Sequence, residues 1–315
     1  MKRSLPIFAL FAAAAIAPRA QGQSPANVAG QGSGAVGGPD SSGLQDADAV
    51  VEQAWRTLDG FRTLAAKIRC QGDLFDHQST SAGIYLQQGR GLRQLSRFEI
   101  KNQIGDSTFT LLEVNDGLSF WTFRELPGGP TITRLDLDRI EAQLRAPGVT
   151  GGASSFMSPI SGLPKLLFGL RQNFHFTRAA ETQLAERSVW VIDGGWRPER
   201  LIAAVPDQRG TIEAGRTIEL KKLPAHLPER VLLYMGKSDL IPYRIEYLRR
   251  GSKSDGAGQG SLLPGYQTIA STEYFDVRVN VPIDAREFVY QPPKNAKVID
   301  ATDAYLKTLT SEGAK

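Results

Sequence analysis

Three histidines (His77, His175 and His226), one cysteine (Cys70) and the acids Asp136 and Asp138 are the side chains from which hydrolytic, nucleophilic or metal chemistry would have to be built. No two histidines stand at metal-ligand spacing and no CxxC accompanies them, so a metal centre has no support. His175 alternates with Phe174 and Phe176, the pattern of a satisfied sheet histidine. His77 reads as part of a turn and His226 as solvated among prolines. Cys70 lies in the run Ile68 to Leu74 and is expected to pack as a small apolar group, not to attack as a thiolate. Neither a GxSxG elbow nor a P-loop is present. One literal GxGxxG, Gly32 to Gly37, lacks the preceding strand and following helix that a dinucleotide fingerprint needs. Asp136 and Asp138 both read as facing water. No catalytic residue, metal or cofactor is expected, and the chain reads as a non-enzyme.

The elements around these residues point the same way. Lys2 and Arg3 precede an apolar run, Leu5 to Ala17, and Ala20-Gln21-Gly22 offers small residues to a signal peptidase. Residues 1–22 therefore read as a signal peptide, and the chain as exported, periplasmic and soluble after cleavage. Three of the four excess positive charges, Lys2, Arg3 and Arg19, fall there, leaving the remainder near +1. Nucleic acid is excluded as a partner on that balance. Residues 23–44 are a Gly/Ser-rich leader without apolar payload. Residues 45–305 form one domain, 306–315 a tail, and a monomer is expected.

Asp46 caps a helix whose face is Ala47, Val50, Val51, Ala54 and Leu58, with Gly60 as its stop. Alternating segments then follow one another, with Asn115-Asp116-Gly117 the strongest hairpin signal. Residues 138–145 read as a helix. So do 161–172, rich in leucine and opening near Pro159. Strands resume at 188–192, 199–204, 217–221, 229–235, 243–248, 268–279 and 288–290, Pro292-Pro293 ends the sheet, and 302–309 forms a last short helix. About ten strands and only two strongly apolar helices leave two solutions: a sheet closed on its own core, or an open one with more apolar face than its helices cover.

The segment Phe288-Val289-Tyr290-Gln291-Pro292-Pro293-Lys294-Asn295-Ala296-Lys297-Val298-Ile299-Asp300 resembles the end of the periplasmic outer-membrane lipoprotein carriers, the LolA-like family. Asn280 to Asp284, the hairpin Val114 to Trp121, and Ser158-Pro159 before the leucine-rich helix resemble further motifs of that family in the same order. The resemblance implies a mainly β, incomplete antiparallel β-barrel, with helices covering its concave face. It implies non-covalent binding of lipoprotein acyl chains or other lipid, handed between membrane-associated donor and acceptor proteins. The lining would be Phe98, Ile100, Leu112, Val114, Trp121, Phe123, Trp190 and Ile192. A lid would carry Phe156, Met157, Leu163, Leu166 and Leu167, and Arg90 matches the residue that holds it closed. A sensor or scaffold of the same fold, binding a protein or peptide, is the alternative; a hydrolase is the third.

Overall fold

The computed structural model describes residues 46–313, apart from 75–76, 105–106, 127–128, 146–161, 217, 220–222, 225 and 252–262. The expected signal and leader and two of the expected lid residues, Phe156 and Met157, lie outside the described residues. Two hairpin meanders make up the sheet. The first is β1 (Thr63–Leu74), β2 (His77–Gln88), β3 (Leu95–Ile104), β4 (Ser107–Asn115), β5 (Ser119–Leu126) and β6 (Gly129–Asp136). The second is β7 (Phe174–Leu184), β8 (Arg187–Trp196), β9 (Arg230–Gly236), β10 (Pro242–Arg250) and β11 (Tyr266–Val279). Antiparallel pairing of β1 with β11 zips the two together. A short β12 (Val298–Asp300) adds to β6 in parallel. The result is one twelve-stranded sheet, β12-β6-β5-β4-β3-β2-β1-β11-β10-β9-β8-β7, open at both ends and antiparallel apart from its last pair. It is an incomplete barrel, as the strand pattern and the resemblance imply.

Helix α1 (Ala47–Gly60) starts where Asp46 accepts from the amides of Asp48 (3.1 Å) and Ala49 (3.5 Å), a cap contributing about 1 kcal/mol. Its buried face is the expected one. Helix α2 (Leu137–Leu144) is capped by Asp136, which accepts from Arg139 N at 3.2 Å. Helix α3 (Gly162–Asn173) buries Leu163, Leu166, Leu167 and Leu170. The hairpin signal holds locally: Gly117 has φ +85°, and Asp116 accepts from the amides of Leu118 and Ser119 and from Trp121 Nε1.

Several expectations need correction. Residues 198–204 form a helix, α4 (Pro198–Ala204), not a strand; Pro198 at the first helical position and the helix formers after it decide this. A short α5 (Arg209–Glu213) follows. Residues 285–288 are a 3-10 turn, and the sheet ends with β12, beyond Pro292-Pro293. Helix α6 (Thr302–Gly313) runs past residue 305, and Leu306 packs with α2. His77 lies in β2. Of the expected strand at 217–221, residues 217, 220 and 221 lie outside the described residues, and 218–219 carry no strand.

Between β11 and β12 the chain runs as a strap. It leaves β11 at Asn280, which donates to Thr63 O (2.8 Å) and accepts from Arg62 N (3.0 Å). It passes β3, where Arg97 donates to Glu287 O, and β5, where the Tyr290 ring lies tilted against Trp121 with centroids 5.7 Å apart. It ends on β6.

Candidate functional site

Register fixes which side chains share a face, because paired residues of an antiparallel ladder point the same way. Tyr85 and Gln87 face the helices: Gln87 donates to Leu58 O of α1, and Gly162 of α3 abuts the Tyr85 ring. This side is the inner face. Pairing Tyr85↔Phe98 and Gly83↔Ile100 places Phe98 and Ile100 on it. From β1 through β11, β10 and β9, the pairs Cys70↔Thr272, Ile245↔Thr272, Ile245↔Leu233 and Ile192↔Leu233 add Ile192, and Trp190 follows two residues away. Four of the eight expected lining residues are thus on the inner face.

The other four are not. Ile100↔Leu111 and Asn115↔Phe120 turn Leu111 and Phe120 inward. Leu112, Val114, Trp121 and Phe123 therefore occupy the outer face, paired Val114↔Trp121 and Leu112↔Phe123. The strap covers part of that face, with Tyr290 on Trp121. The expected single lining is two apolar surfaces on opposite sides of the sheet.

Helix α3 lies on the inner face with its leucines in one cluster with Ile68, Ile100, Ile192, Leu233 and Ile245. Its two ends are held differently. The C-terminal end is tied by Arg197, which donates from N to Asn173 O (2.8 Å) and from Nε to Arg171 O (3.0 Å), and by an ion pair between Arg171 and Glu52 of α1. The N-terminal end rests on Tyr85, whose hydroxyl donates to Gln87 Oε1 at 2.6 Å. Arg90 does not reach this helix: it donates to Gly60 O at 2.8 Å, closing the C-terminal turn of α1.

Cys70 sits on the inner face and donates to Thr272 Oγ1 at 3.7 Å. Burial pushes its thiol up to about 12. Alkylation of Cys70 in the folded protein should run more than about 100-fold slower than in urea. Equal rates would mean that the thiol is not buried on the inner face. As the sole cysteine it also reports on opening of the inner face.

A cleft of about 680 Å³ opens where α1, α3 and α4 meet, lined by Asp46, Asp48, Glu52, Arg171, Arg197 and Arg200 among others. Asp48 organises it, accepting from Phe176 N (2.9 Å) and bonding His175 Nδ1 (2.6 Å), with Arg197 at 3.7 Å. Phe176 belongs to β7, so Asp48 blocks an amide of an edge strand. His175 is thus an exposed, paired sheet histidine. Burial, then the nearby Arg249 charge, lowers His226. Sequence reasoning missed this cleft, whose residues come from three distant stretches; the capping Asp46 was its one legible part. Among the described residues no group of three or more His, Cys, Asp or Glu stands together as metal ligands. No described helix is long and apolar enough to cross a membrane.

No protein-family model matches the chain, and a search of curated proteins finds no match. Solved structures show a loose likeness. A DUF1329 family protein from Desulfovibrio piger is 11% identical with a TM-score of 0.33, over 78% of this chain and 98% of that one. A putative outer membrane lipoprotein-sorting protein domain from Vibrio parahaemolyticus is 10% identical with a TM-score of 0.31, over 76% and 95%. A LolA superfamily protein from Nitrosomonas europaea is 14% identical with a TM-score of 0.24, over 78% and 98%. Overlap at this level does not fix a function, which has to come from the inner face itself.

Proposed function

We propose that this chain is an exported, non-enzymatic carrier that holds acyl chains on its inner face in the place of α3. The observation behind it is the seating of α3: four leucines on an apolar sheet face, with the Glu52 ion pair and both Arg197 bonds gathered at its C-terminal end. Burying four leucines contributes roughly 6–12 kcal/mol, the same as about 8–15 methylenes at ~0.8 kcal/mol each. Exchange of helix for acyl chain is then close to balanced, which lets cargo be both taken up and released. Asn173 at the junction with β7 is the hinge, and Gly162 the moving tip.

Leu166→Asp tests this reading. A carboxylate at that buried position weakens docking of α3, so affinity for a neutral fluorescent acyl probe should rise by about tenfold or more. Unchanged uptake by a folded variant would remove α3 as the lid. An empty mass in native mass spectrometry, with no uptake by either form, would favour the scaffold reading.

A further inference from the structure

The inner face changes character along one row of paired residues. From β8 to β4 the row reads Ile192, Leu233, Ile245, Thr272, Cys70, Ser81, Asn102 and Phe109. Its first three members are apolar and fully buried; the next four are polar or weakly polar and also buried. Thr272 and Cys70 satisfy one another. Asn102 is different. It is 3% exposed, and its Oδ1 is buried with no hydrogen-bond partner among the described residues. A buried carbonyl oxygen without a donor is rare in folded proteins and calls for one. The flanking Ser81 and Phe109 carry no charge, and the neighbours Lys101 and Gln103 point to the opposite face.

Resting on the carrier reading, we infer that the cargo is a neutral amphiphile with an N–H or O–H donor in its head, received by Asn102 Oδ1. Its acyl chain lies across the strands over Ile245 and Leu233, and its head over Ser81 and Asn102. The distance fits: Leu233 and Asn102 are five strands apart, roughly 24 Å at the usual spacing, which suits an extended acyl chain and its head. An ionised carboxylate is a poor head here, because it brings negative charge to an acceptor oxygen and finds no cation in the row. A hydrocarbon or simple ester leaves Oδ1 unmatched. Primary acyl amides and monoacylglycerols have the required chemistry.

The test uses the exported full chain and displacement of a fluorescent acyl probe by oleamide and by methyl oleate, which differ in the head donor. The wild type should hold oleamide about tenfold more tightly. In Asn102→Leu the two should fall within about twofold of each other. Equal affinities in the wild type, or an undiminished preference in the variant, would overturn the assignment. A second measurement guards against trivial damage. Without ligand, Asn102→Leu should melt no lower than the wild type, because it removes an unmatched polar atom. A lower melting temperature would mean that Oδ1 already has a donor within the chain, and would also overturn the inference. If neither ligand binds at all, the carrier reading itself fails, and the head-group assignment with it.

Discussion

Phe288→Ala is expected to lower stability by about 3–5 kcal/mol, a range typical of large aromatic truncations in packed sites. The side chain is 1% exposed, although it stands in a strap with no sheet pairing of its own. Arg97 of β3 donates to the neighbouring Glu287 carbonyl, and Tyr290 lies on Trp121 two residues further on. The strap therefore acts as the outer counterpart of α1 and α3. Urea unfolding gives the number. The same variant separates the two faces: acyl uptake per folded molecule should not change, because the strap crosses the side of the sheet away from α3. A loss under about 1 kcal/mol would show that the strap merely rests on the sheet.

Gly162→Ala should act on the other face. Gly162 has φ +70°, and a Cβ there would stand 2.5 Å from the Tyr85 ring. Tyr85 has no room to yield: it is fully buried, its hydroxyl is bonded to Gln87, and Gln87 is bonded to the end of α1. Left-handed backbone and overpacking together cost about 2–5 kcal/mol, all of it charged to the docked position of α3. Acyl-probe affinity should rise by about 30-fold or more, and Cys70 should become open to alkylation. Gly60→Ala is the control, since a Cβ there meets nothing within 4 Å. Wild-type protection of Cys70 together with wild-type affinity would refute the hinge and the tip.

The sequence was legible wherever local rules act alone. Asp46 as a cap, the helical stripe from Ala47 to Leu58, the leucines of α3 and the Asn115-Asp116-Gly117 turn each depend on a few neighbouring residues. What failed depends on partners far away. Alternation puts Trp121 and Phe123 on one face, but it does not say which side the helices take. β4 carries apolar residues on both sides, Phe109 and Leu111 inward, Leu112 and Val114 outward. Both sides are apolar because both are covered, and the second cover is a strap with no periodicity to read. Residues 198–204 were lost for another reason: about two turns of helix are too few for the period to outweigh a strand-like reading, and Pro198 was the better signal. Arg90 was misplaced because a resemblance carries a residue type, and its partner here is the carbonyl of Gly60.

The zipper between β1 and β11 sets the order of assembly. Cys70 meets Thr272 across 202 residues, so the centre of the sheet stays unmade until nearly all of the chain is available. Each meander can gather itself early from neighbouring hairpins, but their union is a late, long-range event and therefore a slow one. A chain threaded unfolded through a secretion pore would gain from that delay: its tertiary structure cannot lock while the rest is still in transit.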